Sequence, residues 1–506
     1  MLTTITCGSL HGIEAEPVQV EVDLALGLPA FSIVGLPEGA VKESKVRVLA
    51  ALGNVGYAVP PRKITVNLAP ADLKKSGAAF DLAIALGVIS AAGLIDGERF
   101  AGTMVVGELG LDGSCRPVPG ALPYVLKAKA MGFGSLMIPH DNAREAAVIA
   151  DVQVLPVRSL DEAVMHFSGE REIVPCAVTR DFSLDDVVHD VCMSEVRGQE
   201  SAKRALEIAA AGAHNVLMIG PPGSGKTMLA RRLATIMPPL SFDEMLEVSA
   251  AHSVLGLTSA RRPLVTGRPF RAPHHTVSDA GLVGGSNPPR PGEVSLAHNG
   301  ILFLDELPEF KRNVLEVLRE PLEEGAITIS RAAGRSTFPA AFSLVASMNP
   351  CPCGYFGTDE RPCICNGAAV ERYRGKISGP LLDRIDIHIE VPSVKVRELA
   401  ARERAETSAR VRDRVLAARQ RQTERFGKER ANGQMNLRQI EEFCRPDAAS
   451  SALLEKAIER LGLSARAYSR ILKVSRTIAD LEGASTISCA HVAEAIGYRS
   501  LDRKNA

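Results

Sequence analysis

A chain of 506 residues is too long for one hydrophobic core and is expected to divide into about three domains. Lys plus Arg and Asp plus Glu both total 59, so no global charge advertises a nucleic-acid or membrane partner, and any polyanion contact must come from a local patch. No apolar run is long enough to span a bilayer, and MLTTITCGSLHG lacks the basic-then-apolar layout of a signal peptide, so a cytoplasmic protein without a membrane partner is expected.

Residues 1–165 mix β-like runs (VQVEVDLAL, FSIVGL, KITVNLA, TMVVGEL, SLMIP) with helix-like ones (VKESKVRVLAALGNVG, FDLAIALGVISAAG, LPYVLKAKAMGF) and predict an α/β or α+β domain. Residues 166–195 are polar and lack a sustained period, which reads as a linker. The next domain, 196–392, opens with VRGQESAKRALEIAAAGAH, where a nucleotide base could lie against Val196 to Gln199. Then comes NVLMIGPPGSGKT. Val216, Leu217, Met218 and Ile219 read as a buried strand, and Met228, Leu229, Leu233, Ile236 and Met237 recur at helical spacing. A GxxxxGK[ST] loop between a strand and a helix has the context of a phosphate-binding P-loop. Gly220, Pro221, Pro222, Gly223, Ser224 and Gly225 would turn backbone N–H groups toward phosphates at the positive end of the helix. Lys226 and Thr227 would grip phosphate and magnesium, so ATP and Mg2+ are the implied ligands.

An insert runs from about 241 to 298. Between 252 and 301 it holds five arginines (Arg261, Arg262, Arg268, Arg271, Arg290) against Asp279 and Glu293, an excess of three positive charges in a neutral chain. That excess makes Arg268 and Arg271 candidate DNA contacts, with a solvated loop as the alternative. His274 and His275 would point to opposite faces of an extended segment, which argues against joint metal ligation. GILFLDELPEF delivers two carboxylates at the end of an apolar strand. Asp305 would hold the magnesium shell with Thr227, and Glu306 would polarise the attacking water. GAITISRAAGRSTFPAAF reads as a β-hairpin turning at Ala332 to Gly334, with Arg331 and Arg335 giving it a basic tip. AFSLVASMN is a further buried strand whose final Asn349 could orient the lytic water.

Cys351, Cys353, Cys363 and Cys365 form two C-x-C pairs, a pattern that points to metal before disulfide. Four thiolates make a closed tetrahedral zinc site, and free or redox-active thiols are the alternative. Arg384, in SGPLLDRIDIHIEV, stands at the start of the last apolar strand, where an arginine can reach the γ-phosphate held by a neighbouring subunit. The remainder, 393–506, reads as a helical lid. Its 395–430 stretch is Arg-rich and expected to be a solvated helix, and Arg466 and Arg470 lie four apart on one helical face, where one of them could sense nucleotide.

Taken together, GPPGSGKT, RPFRAPHHT, NGILFLDEL, MNPCPCG, SGPLLDRID and LSARAYSRILKVSRTIADL resemble the magnesium-chelatase-like AAA+ family, and their order over nearly the whole chain is similar to its ComM/YifB competence group. The resemblance implies an α/β AAA+ P-loop core with a helical lid. It also implies an α+β N-terminal domain like that of Lon protease, the ribosomal S5 domain 2-like fold. On that alignment Ala79 stands where a nucleophilic serine would be and Pro123 where a general-base lysine would be; Ser76 and Lys127 do not sit in matching places, so proteolysis is not expected. The resemblance further implies a ring, usually a hexamer, with Arg384 as a finger acting across subunits and Arg466 as the lid sensor. A DNA motor driving branch migration of recombination intermediates is the implied activity, with the insert (Arg268, Arg271) and the hairpin (Arg331, Arg335) matching elements that face DNA in related rings. A chelatase-type ATPase that remodels a protein partner is the alternative.

Overall fold

Strands β1 (Leu2–His11) and β2 (Glu14–Ala25) alternate buried with partly exposed residues, as a sheet with one face on a core requires. The computed structural model describes residues 2–57, 59, 61–178, 190–259, 261–331, 334–358, 361–394, 405–462 and 464–499. With β3 (Ala30–Val34), β4 (Lys63–Ala69), β5 (Thr103–Val105), β6 (Ser135–Pro139) and β7 (Gln153–Val157), they form a seven-stranded mixed sheet in the order β3-β4-β2-β1-β5-β6-β7. Helices α1 (Gly39–Val55), α2 (Asp81–Ala91), α3 (Ala121–Ala130) and α4 (Leu160–Ser168) complete this α+β unit. Every residue of α2 is buried, which is why its sequence is apolar all round. The one charge it buries, Asp81, is matched by Arg47, whose Nε and Nη2 donate at 2.6 and 3.0 Å.

Ala79 and Pro123 are both buried, and the Lys127 ammonium pairs with Glu16 at 3.1 Å. Helix α4 continues to Ser168. Beyond it Ile173 is buried in the first core and the Cys176 N–H donates to Val154 O at 2.8 Å. The segment expected as a linker from 166 is therefore tied to the first domain through 176, because two apolar side chains and a backbone bond still anchor it. Residues 179–189 of that segment lie outside the described residues.

The second unit is built on a five-stranded parallel sheet. Its strands are β8 (Val216–Ile219), β9 (Phe270–Arg271), β10 (Ile301–Leu304), β13 (Ser343–Met348) and β14 (Ile387–Glu390), in the order β9-β10-β13-β8-β14; the hairpin strands β11 (Ala326–Arg331) and β12 (Gly334–Pro339) stand outside it. Every residue of β8, β10 and β13 is buried, so these strands read as continuous apolar runs. Their carboxyl ends point one way, and in such a sheet that edge is where ligands bind. Around it pack α5 (Glu200–Gly212), α6 (Lys226–Ile236), α7 (Phe242–Ser253) and α8 (Gly367–Arg374).

The C-terminal region is helical: α9 (Ser408–Phe426), α10 (Leu437–Phe443), α11 (Ala448–Leu461), α12 (Ala465–Glu482) and α13 (Cys489–Gly497). Residues 395–404 lie outside the described residues. The Arg-rich α9 is not a solvated helix. Val411, Val415, Ala418 and Gln422 form a buried stripe, and the Gln422 amide donates to Ala211 O at 3.0 Å. Its arginines occupy the remaining faces, which is why composition suggested solvent all round. A buried polar network ties α12 to the sheet. Asp386 accepts from His214 Nδ1 at 3.2 Å and pairs with Arg470, while His214 Nε2 lies 2.8 Å from Thr477 Oγ1. Burial opposes ionisation of Asp386, yet Arg470 and His214 hold its carboxyl far below the ordinary range.

The first unit grips the second in two places. The Gly120 N–H donates to Ser253 O at 3.0 Å and Thr258 Oγ1 to the buried Glu145 at 2.8 Å. At the other contact, His11 Nε2 lies 3.1 Å from Arg335 O and 3.3 Å from Ser336 Oγ, so the β1–β2 turn rests on the β11–β12 hairpin. No helix among the described residues is long and apolar enough to cross a membrane.

Candidate active site

The loop 220–225 leaves β8 at the carboxyl edge of the sheet and enters α6. Gly220 is required there, since a Cβ would lie 2.1 Å from Val391 O on the neighbouring strand end. The Gln199 amide donates to Ser224 O at 2.8 Å and to Pro392 O at 3.0 Å, so the entry segment braces the loop from outside. Lys226 is the first residue of α6. Its ammonium donates to Gly220 O at 2.8 Å and Pro221 O at 2.9 Å and lies 3.4 Å from Asn349 Oδ1. Burial lowers the Lys226 pKa, while Asp305 and Glu306 favour its charged form.

The carboxyl ends of β10 and β13 bring the remaining groups to the same edge. Thr227 Oγ1 donates to Asp305 Oδ2 at 3.0 Å, and the other carboxylate oxygen accepts from Ser347 Oγ and from the Glu306 N–H at 3.1 Å. Asp305 is thus oriented by three donors, and the hydroxyl and carboxylate expected to share magnesium are adjacent. Glu306 adopts a left-handed backbone (φ 54°), rare for a residue with a side chain, and its carboxylate is half-exposed. The structure therefore brings Lys226, Thr227, Asp305, Glu306 and Asn349 together.

Arg384 and Arg466 lie elsewhere. The Arg384 side chain is only 4 % exposed; it pairs with Glu323, and Nη1 donates to Pro380 O at 2.6 Å. Its Nε has no partner among the described residues. Burial lowers the Arg384 pKa, and the nearby charges of Arg319, Arg466 and Arg470 add to that against the pull of Glu323. Arg466 is exposed in the first turn of α12, and Arg470 is committed to Asp386.

Comparison with known proteins gives the family. Three family descriptions match in succession: "Subunit ChlI of Mg-chelatase" over residues 20–142, "Magnesium chelatase, subunit ChlI" over 192–399 and "Magnesium chelatase, subunit ChlI C-terminal" over 405–499. The chain is similar to the Competence protein ComM of Haemophilus influenzae, with 45% identity over 500 residues that cover 97% of this chain and 96% of that protein. The chain belongs to the magnesium-chelatase-like ComM/YifB group. It is 43% identical to the YifB protein of Escherichia coli over 498 residues, covering 97% of this chain and 96% of that protein. Likeness to the Magnesium-chelatase 38 kDa subunit of Cereibacter sphaeroides is 26% over 216 residues, or 40% of this chain and 58% of that protein.

This ComM/YifB group member carries a second cluster beside the phosphate edge. Cys351 Sγ lies 3.3 Å from Cys353 Sγ and 3.7 Å from Cys363 Sγ, Cys353 and Cys363 are 3.6 Å apart, and all four sulfurs, Cys365 included, fall within 4.8 Å of one another. A tetrahedral zinc–thiolate centre with Zn–S of about 2.3 Å has sulfur edges of about 3.8 Å, so the donor set fits that ion. The N–H groups of Tyr355 and Ile364 lower the Cys353 thiol, whereas Cys363 and Cys365, despite backbone hydrogen bonds that lower them, are raised by burial and by the neighbouring sulfurs, so a single thiolate in the cluster opposes the next.

The arginines proposed to meet DNA separate into two kinds. Arg268 is internal: Nη1 donates to Asn299 O at 2.6 Å, Nη2 to Pro239 O at 3.1 Å and to Glu244 at 3.0 Å. Arg271 is neutralised by a bidentate pair with Glu293 at 2.7 and 2.8 Å. The insert's charge excess is thus partly consumed within the fold, which a count along the sequence does not register. Arg331 and Arg335 are exposed at the end of the hairpin; the turn residues 332–333 lie outside the described residues.

His274 and His275 do not point to opposite faces. Their ring centroids are 4.0 Å apart, because the Val277 N–H to His274 O bond at 2.9 Å makes this segment a turn and not a strand. His275 Nδ1 lies 3.8 Å from the Glu306 carboxylate, a contact that sequence reasoning missed. Ser347 and Glu323 were missed as well. Neither lies in a motif that announces its partner.

Proposed function

We propose that this chain is a ring-forming ATPase, a homo-oligomer and expected hexamer, that moves on single-stranded or branched DNA in the cytoplasm. In this reading it promotes branch migration of recombination intermediates during natural transformation. The observation that carries the ATPase part is the Thr227–Asp305 contact with Lys226, Asn349 and Glu306 at the same sheet edge. The backbone of 220–225 and Lys226 would hold the phosphates, and Thr227 with Asp305 would hold magnesium. Magnesium held there would neutralise charge on the phosphate oxygens. Glu306 would accept a hydrogen bond from the attacking water, and Asn349 would orient it. Arg384 of the adjoining subunit would meet the γ-phosphate, and Arg466 would read nucleotide state from the lid.

Support for the DNA part is the hairpin that presents Arg331 and Arg335 outward, together with near-full-length likeness to a protein named for competence. ATP hydrolysis and strand exchange on forked, three-strand and four-strand DNA test it. DNA should stimulate hydrolysis with a steep salt dependence. Arg331→Ala and Arg335→Ala should each flatten the salt slope by about one unit, because each removes one phosphate contact. Arg268→Ala should lower the melting temperature, since it strips an internal guanidinium from four acceptors, Pro238 O, Pro239 O, Asn299 O and the Glu244 carboxylate. Hydrolysis indifferent to every DNA across the salt series sinks the translocase reading and leaves the chelatase-type alternative, remodelling of a protein partner, which the likeness to the 38 kDa subunit favours.

The four-cysteine centre is proposed to hold zinc. Metal analysis of the reduced protein should find about one zinc per chain. A folded, metal-free protein would refute it.

A further inference from the structure

We propose that the cysteine cluster is a positioning clamp for ATP hydrolysis: metal held by Cys351, Cys353, Cys363 and Cys365 fixes the 350–366 loop against the P-loop and Asn349, so turnover depends on the occupied cluster. The inference rests on the zinc reading of these cysteines.

The loop meets the phosphate site at its start and in its middle, and its end runs into a helix that returns to the loop. At its start, Cys351 is fully buried and stands two residues after Asn349, whose Oδ1 is 3.4 Å from the Lys226 ammonium. In the middle, Gly354 lies flush on the P-loop. It takes φ 90°, and a Cβ there would come within 2.6 Å of Pro222 Cδ and 2.8 Å of Cγ. Only a backbone without a side chain fits between the cysteine pair and that proline ring. At its end, the Asn366 side chain caps α8 by accepting the Ala369 N–H at 2.8 Å. That helix returns to the start of the loop. Arg374 Nε donates to Pro350 O at 3.2 Å, and the Arg374 guanidinium sits 5.4 Å from the Phe356 ring centroid.

Polar and cation–π contacts apart, no regular structure holds the described part of this loop. Among its described residues 350–358 and 361–366 there is no helix or strand, and Phe356 and Ile364 are 45 % and 81 % exposed. An apolar core cannot set its shape, so the four sulfurs are what bring Gly354 to Pro222 and keep Cys351 under Asn349. A metal outside the nucleotide site thereby acts on the reaction through Pro222 and Asn349, as second-layer groups act on a metal centre. The residues of the clamp are positioning residues and do not touch the reacting atoms.

The test uses the full-length reduced protein, with zinc counted by mass spectrometry. Affinity for a fluorescent ATP analogue, kcat and KM are measured before chelation, after it and after zinc is returned. Circular dichroism accompanies each state. Removal of zinc should lower kcat about tenfold or more, and readdition should restore it, because displacement of site groups by about 1 Å has large kinetic cost. Gly354→Ala keeps all four cysteines and should keep its zinc while lowering kcat and analogue affinity. Two results overturn the clamp alone: zinc that binds and leaves with unchanged affinity and kcat, or zinc-loaded Gly354→Ala with parental kinetics. Absence of metal from the folded, reduced protein overturns the zinc reading and the clamp with it.

Discussion

Lys226→Ala should abolish ATP turnover, with a fall of about 10² or more in kcat. The lysine contributes a charge that nothing else among the described residues supplies at the mouth of the loop. Its ammonium is held between Gly220 O, Pro221 O and Asn349 Oδ1, facing the carboxylates of Asp305 and Glu306. In the transition state of phosphoryl transfer the developing charge lies on the γ-phosphoryl oxygens, and a fixed cation in a site shielded from water stabilises it strongly. Alanine removes that cation without disturbing the backbone N–H groups of the loop. The two carbonyls it leaves belong to the buried residues Gly220 and Pro221, so the cost in stability should be about 1 to 3 kcal/mol, visible as a drop in melting temperature. Phosphate release is the measurement. Normal turnover in the folded variant would remove the P-loop assignment.

What could be read from sequence, and what could not, follows the range of the interactions. β8, loop and α6 were legible because the apolar run, the GPPGSGKT loop and the helical spacing of Leu229, Leu233 and Ile236 are local and mutually consistent. Asp305, Glu306 and Asn349 were legible because parallel buried strands end at one edge, so residues just past those strands must meet. The four cysteines were legible by type and spacing. Partnerships across long separations were not: Arg384 with Glu323, Arg268 with Glu244 and backbone carbonyls, and His275 with Glu306 join segments whose approach depends on the packed fold. A guanidinium counted as free charge can be an internal strut, and Arg268 is one. The half-buried α9 was misread for a related reason, since three small or branched apolar residues and a glutamine form a stripe too sparse to stand out among its arginines.

Arg384 provides the second large effect, and its geometry sharpens the test. As a finger acting across subunits it would be worth about 10³ to 10⁵ in rate, or about 4 to 7 kcal/mol of barrier. Within its own chain it precedes β14 at the amino edge of the sheet, while Lys226 follows β8 at the carboxyl edge. It is held by Glu323 and Pro380 O, and Nε has no partner among the described residues. A neighbour's γ-phosphate would have to compete with Glu323 for the guanidinium, and the adjacent charges of Arg319, Arg466 and Arg470 favour an anion arriving there. Arg384→Ala should therefore lose turnover nearly as completely as Lys226→Ala, although its own P-loop is intact. The two inactive variants should complement each other. In an equal mixture that exchanges subunits, a site with its P-loop from an Arg384→Ala chain and its finger from a Lys226→Ala chain is whole, and roughly one quarter of the interfaces have that pairing in a cyclic ring. Partial recovery of phosphate release should follow, rising and falling with the mixing ratio. No recovery at any ratio, with subunit exchange demonstrated by differently labelled chains, would mean that Arg384 acts within its own fold as the anchor of Glu323.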